Sequence, residues 1–265
     1  MQNKIIFNAA NEYLLSFEGV TQEMIDKQLN EWRERKAQNI PNLCYQMISS
    51  AKNRQGMSNS IGDIDKISSI VFDFNPNEIL KNYTEWGELF DKIKEGYTPP
   101  GRMERNNPRN YWVQFTKSII SIANFLQRFK TVEDFDKFVR VFYYNEETRA
   151  ALPLLLEKEI FGYRFALACD FLKESGYPKF VKPDTHIKDI FTGLGLTKDE
   201  DDFQIFKDVI SFSESIDKLP YEVDKLFWLV GSGRFYLFKD ENGNEFRIKT
   251  SKKEFIKIVK EKLNH

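Results

Sequence analysis

Apolar residues recur every three to four positions along most of the chain, which is the spacing that places them on one face of an α-helix. The pattern predicts helices over residues 21–36, 42–52, 77–94, 111–129, 131–144, 146–156, 154–159, 164–173, 198–212, 220–229 and 252–263. Residues 64–72 form a β-branched apolar run that fits either a helix or a buried strand. The predicted fold class is therefore mainly α, a helical bundle.

Two segments interrupt the helical pattern. Residues 96–110 hold three prolines, two glycines and three arginines, so they either join two lobes or form a basic surface loop. Residues 234–238 and 245–250 flank Asn242-Gly243, which is typical of a β-hairpin. We therefore expect an N-terminal helical lobe at 1–100, a second helical lobe at 101–230, and a β-hairpin with a terminal helix at 231–265, packed on the main body.

Composition narrows the class of protein. The chain has 265 residues, 30% of them charged, with a net charge of −1, which is typical of a globular protein and not of a disordered one. No apolar run is long enough to span a bilayer, and residues 1–15 do not resemble a secretory signal, so we expect a cytoplasmic protein. Cys44 and Cys169 are expected to be buried, reduced thiols. Only two histidines occur, His186 and His265, and this scarcity argues against a zinc site.

The charges are unevenly distributed along the chain. Residues 101–130 carry six basic side chains against Glu104 alone. The tail from Lys225 onward has ten basic and five acidic residues, whereas residues 197–224 have three basic and nine acidic ones. This asymmetry can create a basic, nucleic-acid-binding face on a neutral protein, although it also fits an ordinary solvated surface.

Residues 152–196 carry the densest set of candidate functional features. Two predicted helices are joined by a turn around Gly162, whose backbone N–H groups could hold an anion such as a DNA phosphate. The alternative is a plain helical hairpin. Further along, Pro183 keeps its predecessor extended and Asp184 then begins another helix. A carboxylate at that position caps free N–H groups, and whether it does more is open at this point.

The combination of these features resembles the helix-hairpin-helix DNA glycosylase superfamily. The matching segments are residues 160–166 in the hairpin, Gly176-Tyr177-Pro178, residues 183–187 (Pro-Asp-Thr-His-Ile) and Gly193-Leu194-Gly195-Leu196. The turn that usually reads Gly-hydrophobic-Gly in that family is Ile160-Phe161-Gly162 here. The resemblance covers about residues 150–196 and implies a helical bundle of the helix-hairpin-helix glycosylase type, with the short C-terminal β-hairpin and terminal helix added.

The resemblance implies that Asp184 is the catalytic carboxylate of a base-excision enzyme. Breaking an N-glycosidic bond builds positive charge on the sugar, and a fixed carboxylate can stabilise that charge or orient water. Family members with lyase activity carry a lysine after the hairpin turn, which forms a Schiff base with the sugar. That position is Arg164 here, or Phe165 if the alignment shifts by one. Neither residue can be such a nucleophile, so the expected enzyme is monofunctional.

The resemblance also implies double-stranded DNA as the partner, and we expect a monomer without membrane association. No metal or cofactor is expected, except that the hairpin turn of such a fold can accept a monovalent cation. Aromatic side chains, among them Phe161, Tyr163 and Trp228, are candidates for stacking on a base, and His186 is expected to pack or cap. The residues expected to contact DNA are Phe161, Gly162, Tyr163, Arg164, Lys182, Arg102, Arg105, Arg109, Gln55 and Arg234.

Two polar loops outside the hairpin allow two interpretations each. Residues 53–57 either fill the space left by a flipped base or form a plain surface loop. Residues 230–234 either admit a phosphate or cap the end of a helix. Three functions follow: a monofunctional glycosylase, a non-catalytic DNA-binding protein of the same fold in a repair, restriction or defence system, and a helical interaction domain in which Asp184 is only a cap.

Overall fold

The protein is described here by a computed structural model that covers residues 2–264. These residues form fourteen α-helices and one two-stranded antiparallel sheet, so the prediction of a mainly α protein with a C-terminal β-hairpin and a terminal helix is confirmed. None of the described helices combines the length and the apolarity needed to cross a bilayer. The helices are α1 (Gln2–Leu15), α2 (Gln22–Asn30), α3 (Ile40–Lys52), α4 (Met57–Ile61), α5 (Pro76–Asn82), α6 (Trp86–Gly96), α7 (Tyr111–Leu126), α8 (Val132–Arg140), α9 (Glu146–Glu159), α10 (Phe165–Glu174), α11 (Thr185–Leu194), α12 (Asp202–Ser215), α13 (Pro220–Ser232) and α14 (Lys252–Leu263), and the strands are β1 (Arg234–Lys239) and β2 (Glu245–Arg247).

The chain divides into two compact units. Unit 1 contains residues 2–36 and 172–264, and unit 2 contains residues 37–171. This division differs from the sequence-based boundaries after residues 100 and 230. The difference arises because α1 and α2 pack on α13, and α1 also packs on α14, from the other end of the chain. Contacts over such separations leave no trace in a local hydrophobic pattern.

Helix α13 is the centre of unit 1. It packs against α1, α2, α11, α12 and α14. The fully buried ring of Phe227 on α13 lies 5.7 Å from the ring of Phe212, 5.8 Å from Phe191 and 6.3 Å from Phe255, measured between centroids. Burial of each such side chain stabilises the fold by about 2–3 kcal/mol. The predicted helix ranges do not include residues 2–15, yet these form α1, whose Ile6, Ala10 and Leu14 are buried in the same unit.

Helix α7 is the centre of unit 2. It packs against α3, α4, α5 and α6. Trp112 on α7 is fully buried, and its indole Nε1–H donates to the carbonyl oxygen of Ser60 at 3.2 Å. This hydrogen bond satisfies the polar end of an otherwise apolar side chain. One face of α7 is therefore fixed in the core, and its opposite face is available to carry polar side chains.

Local capping explains where several helices begin. The hydroxyl of Thr21 accepts a hydrogen bond from the N–H of Met24 at 3.3 Å, and the hydroxyl of Ser251 accepts one from Glu254 at 3.3 Å. Both residues satisfy N–H groups that have no partner within the helix. The terminal helix Lys252–Leu263 has the predicted bounds. The helix expected at 21–36 instead ends at Asn30 and continues as a 3-10 turn over Glu31–Glu34.

Two predicted elements of unit 2 are wrong. The single helix expected at 77–94 is two helices, because the carboxylate of Glu88 accepts the N–H of Thr84 at 2.7 Å and starts a new helix at Trp86. Residues 64–72 form neither a long helix nor a strand. They contain the 3-10 turn Ile64–Ile67 and lead into Phe72–Phe74, where the backbone is left-handed at three consecutive residues.

The β-hairpin follows the predicted turn chemistry. Arg234 pairs with Arg247 and Phe235 pairs with Phe246 across the two strands. Gly243 has a φ of +79°, a conformation that glycine adopts at little cost. The carboxylate of Asp240 accepts the N–H groups of Asn242 at 2.9 Å and Asn244 at 2.8 Å, which closes the turn.

The two cysteines are buried and free, in agreement with the prediction. Burial raises the pKa of the Cys44 thiol far above its usual range. A thiol that stays protonated is a poor nucleophile and a poor metal ligand. Cys44 is therefore a packing residue of unit 2.

Candidate functional site

Asp184 in unit 1 begins α11 as its N-cap. Its backbone is extended, with φ −86° and ψ 176°, and its side chain is half-buried. Oδ1 accepts the N–H of His186 at 2.9 Å and the N–H of Ile187 at 3.1 Å. No described group donates to the second oxygen, Oδ2. The cap thus orients the carboxylate through one oxygen and leaves the other for a further partner, and the predicted helix start is confirmed.

The backbone just before Asp184 is held from within unit 1. The N–H of Lys182 donates to Asp224 Oδ2 at 2.6 Å, and the N–H of Asp184 donates to the carbonyl oxygen of Lys182 at 2.8 Å. Asp224 lies on α13, and its side chain is only 1% exposed. Its other oxygen, Oδ1, accepts a hydrogen bond from the ammonium group of Lys173 at 2.8 Å. The position of Asp184 is therefore tied to a buried ion pair on α10 and α13.

This ion pair belongs to a larger network of alternating charges, which we call the buried ion network. Lys173 also lies 3.4 Å from Glu174, and Lys225 lies 3.5 Å from Glu174 and 3.7 Å from Glu31. Arg35 also pairs with Glu31. Three carboxylates therefore face three cations, and the network as a whole is neutral. Its members are Asp224, Lys173, Glu174, Lys225, Glu31 and Arg35, together with the hydroxyl of Tyr236, which donates to Glu31.

The pKa values in the network follow from burial and from the neighbouring charges. Burial alone would raise the pKa of Glu174, but the ammonium groups of Lys173 and Lys225 outweigh it and lower that pKa to about 2. Burial lowers the pKa of Lys225 and raises the pKa of Asp224. Buried charges of this kind are tolerated only while each keeps its partner.

His186 packs, as expected, against the backbone of α13. A Cβ atom added to Gly231 would lie 2.5 Å from His186 Nδ1 and 2.6 Å from its Cβ, so only glycine permits this contact. Burial lowers the pKa of His186. Residues 230–234 therefore complete α13 and end it, because Gly233 has a φ of +65° and its N–H donates to the carbonyl oxygen of Leu229 at 2.8 Å. The helix-cap interpretation of that loop is the one that the structure shows.

The hairpin turn between α9 and α10 lies in unit 2. Gly162 has a φ of +83°, as a glycine turn requires. The N–H of Phe161 donates to Ser121 Oγ at 2.9 Å, and the N–H of Tyr163 donates to the carbonyl oxygen of Ile160 at 3.2 Å. Two N–H groups of the turn are thus already satisfied by the protein. The expectation that the turn holds a phosphate through its backbone is weakened accordingly.

The side chains of the hairpin have different surroundings. Tyr163 is 3% exposed, and its hydroxyl donates to the carbonyl oxygen of Met47 at 2.8 Å. The prediction that Tyr163 stacks on a base is therefore wrong, because its ring is buried in the core. Phe161 is 44% exposed and Arg164 is exposed. These two side chains remain available for contacts with a partner.

Helix α7 brings two predicted segments of unit 2 together. The guanidinium group of Arg54, in the loop that also contains the exposed Gln55, donates to Gln114 Oε1. One turn further along α7, Ser118 Oγ donates to the carbonyl oxygen of Phe161 at 2.8 Å. Residues one turn apart on a helix are neighbours, so the loop at 53–57 and the hairpin lie side by side on this face.

Positive charge accumulates along the same face. The ammonium group of Lys117 lies 4.9 Å from the ring centroid of Trp86 and 5.4 Å from that of Phe161. Gln114 Nε2 donates to the carbonyl oxygen of Pro108 at 3.2 Å, which places the exposed Arg109 beside α7. No described acidic side chain forms an ion pair with the cations of this group. We call the set Arg54, Arg109, Lys117 and Phe161 the basic strip.

Most other residues predicted to contact DNA have partners already. Arg102 pairs with Glu104 at 3.1 Å, and Arg105 pairs with Asp91 at 3.3 Å. Glu245 binds Arg234 through both of its oxygens, at 2.7 and 2.9 Å. Lys182 contributes its backbone N–H to Asp224. The basic loop at 102–109 therefore supplies one unpaired charge, Arg109, instead of three.

Two members of the basic strip, Arg54 and Lys117, were not among the predicted DNA-contacting residues. In the sequence, Lys117 was noted only as one of the basic residues of 101–130. It lies in a predicted helix, and the sequence gives no indication that this helix is close to the hairpin. Arg54 is adjacent to the predicted Gln55. The signal in the sequence was the position next to Gln55 for Arg54, and the excess of basic residues at 101–130 for Lys117.

No group of three or more His, Cys, Asp or Glu side chains suited to a metal ion occurs within residues 2–264. The monovalent cation at the hairpin stays a prediction. Two carbonyl oxygens of the turn, those of Ile160 and Phe161, already accept hydrogen bonds. Comparison of the chain with protein-family models, with curated proteins and with solved structures found no match.

Proposed function

We propose that this chain binds double-stranded DNA and releases a base from it by hydrolysis of the N-glycosidic bond. The observation that carries the proposal is the geometry of Asp184 at the start of the Asp-Thr-His-Ile helix. One carboxylate oxygen is fixed by two backbone N–H groups, and the other receives no hydrogen bond from the described residues. A carboxylate that is fixed through one oxygen and open at the other fits the catalytic role that the resemblance implies for Asp184.

The chemistry needs a negative charge that is in place before the reaction begins. As the bond from the sugar to the base breaks, positive charge grows on the sugar ring. A carboxylate held by the helix cap stabilises that charge without having to reorganise. Its unbonded oxygen can face the sugar or accept a hydrogen bond from the attacking water. The base must leave the helical stack for the sugar to come within reach.

The basic strip supports the DNA-binding part of the proposal. Three cations without carboxylate partners lie along one face of unit 2, next to an exposed aromatic ring. Cations that are not neutralised by neighbouring carboxylates are free to contact phosphates and release counterions. Paired arginines such as Arg102 and Arg105 contribute less, since each already has an acidic neighbour.

Replacing Lys117 and Arg109 together by Gln is expected to weaken duplex binding and to make it less sensitive to salt. Each lost phosphate contact lowers the slope of log K against log salt by about 0.9. Fluorescence anisotropy with a labelled duplex at several salt concentrations measures both quantities. The matched control is the double variant Arg102→Gln and Arg105→Gln, which removes the same charge from paired positions. An equal loss in the control would show that the strip is not the binding surface.

A lysine Schiff base is not expected in this protein. The resemblance places the exposed Arg164 at the position of the lysine of bifunctional family members, or Phe165 if the alignment shifts by one, and neither side chain can form a Schiff base with the sugar. Borohydride should therefore trap no covalent adduct between the protein and a duplex with an abasic site, as judged by denaturing electrophoresis. An adduct that is abolished in Arg164→Ala would contradict the monofunctional assignment.

A non-catalytic DNA-binding protein of the same fold is the second candidate. The occupied N–H groups of Phe161 and Tyr163 favour it, because they leave fewer backbone donors in the hairpin turn to hold a phosphate. Base release from a panel of damaged duplexes separates the two candidates. The third candidate is a helical interaction domain. If the chain is such a domain, we expect no salt-dependent affinity for DNA.

A further inference from the structure

The hairpin tip exposes the side chain of Phe161, whereas the polar backbone groups of that residue already have partners. Both polar backbone groups of Phe161 are closed off, since its N–H donates to Ser121 Oγ at 2.9 Å and its carbonyl oxygen accepts from Ser118 Oγ at 2.8 Å. The ring itself remains 44% exposed. The two serines of α7 therefore hold an exposed apolar ring at a fixed position. Covering this ring with a partner would be favourable.

The surroundings of this ring restrict what can cover it. Lys117 approaches Phe161 with its ammonium group 5.4 Å from the ring centroid, and Arg54 is bound one helical turn away on α7. An apolar protein surface would have to desolvate these cations without replacing their hydration. A nucleotide, in contrast, offers a flat apolar base beside a negatively charged phosphate. Charge complementarity therefore favours nucleic acid over a hydrophobic protein partner.

We propose that Phe161 is a stacking site for an unpaired base of DNA, with Lys117 and Arg54 contacting the phosphates that flank this base. The inference rests on the DNA binding proposed above and specifies its substrate class, a duplex that is interrupted by an unpaired nucleotide. Bases inside an intact duplex already stack on both faces and offer no free surface to the ring. An unpaired base has such a surface, and stacking on an aromatic side chain stabilises it.

The test compares two labelled duplexes, one intact and one with a single-nucleotide bulge, by fluorescence anisotropy. Wild type is expected to prefer the bulged duplex. Phe161→Ala should bind the bulged duplex about tenfold more weakly and the intact duplex as before. Phe161→Trp should retain the preference, because it keeps an aromatic ring at the site. The hydrogen bonds of Ser118 and Ser121 are made to the backbone of residue 161, so both variants keep them.

Tyr144→Ala is the matched control. Tyr144 is an aromatic residue of unit 2 that is 88% exposed. It precedes α9, whereas Phe161 follows it, and a helix of 14 residues separates the two by about 21 Å. This variant should bind both duplexes like wild type. An unchanged preference in Phe161→Ala, or an equal loss in Tyr144→Ala, overturns the stacking site and leaves the proposed DNA binding intact. If wild type binds neither duplex, both the stacking site and the proposed DNA binding are overturned.

Discussion

Asp184→Asn is expected to lower base release by about 10²–10³-fold while leaving DNA affinity unchanged. Asparagine is as good an N-cap as aspartate, so its amide oxygen can keep the hydrogen bonds to His186 and Ile187 and the start of α11 should persist. What the substitution removes is the negative charge that would face the sugar. The measurement is single-turnover release of a base from damaged duplexes, with affinity determined in parallel.

Asp189→Asn is the matched control for this variant. Asp189 is on the same helix, is exposed and pairs with Lys252 at the surface of unit 1. Loss of its charge should leave base release close to the wild-type rate. Activity in Asp184→Asn equal to that of wild type would remove Asp184 from the mechanism. A similar loss in both variants would point to the net charge of α11 and not to one carboxylate.

Lys173→Met should destabilise the protein by about 3–5 kcal/mol. Lys173 is 5% exposed in its side chain, and its ammonium group lies 2.8 Å from the buried carboxylate of Asp224. Methionine fills a similar volume but leaves that carboxylate without its counter-charge. The free energy of unfolding, obtained from urea titration followed by circular dichroism, measures the effect.

Two further variants identify the cause of this loss. Lys257→Met removes the cation of an exposed pair in unit 1, where Lys257 lies 3.8 Å from Glu261 and is 77% exposed, and it should cost less than about 1 kcal/mol. The double variant Lys173→Met and Asp224→Leu removes both buried charges and should recover much of the stability. A double variant no more stable than Lys173→Met would show that the unpaired charge does not dominate the loss.

Asp224 also connects the network to the candidate catalytic residue. Its second oxygen holds the N–H of Lys182, two residues before Asp184. A variant that keeps the fold but loses this acceptor would release the segment that leads into α11. The buried ion network therefore has a structural role, because it helps to fix the position of Asp184.

Several local features were predictable because their causes are local. The N-caps Thr21, Asp184 and Ser251 act on N–H groups two or three residues away. The β-hairpin turn is closed by Asp240 within four residues. Capping and turn formation depend on neighbours in the chain, so residue type and spacing suffice to predict them. Residue type and spacing therefore also suffice to identify Asp184 as a helix start.

Only the tertiary structure decided which of the candidate residues are accessible, and which are already paired. Ser118 and Phe161 are 43 residues apart, and Lys182 and Asp224 are 42 apart. Tyr163 and Phe161, two positions apart in one turn, have opposite surroundings. The side chain of Tyr163 finds its acceptor on α3, whereas α7 binds only the backbone of Phe161, through a donor on Ser118 and an acceptor on Ser121. The sequence by itself determined the mainly helical class, the β-hairpin, several helix caps and the helix start at Asp184. Burial and ion pairing depend on which distant elements pack together, and a one-dimensional pattern does not contain that information.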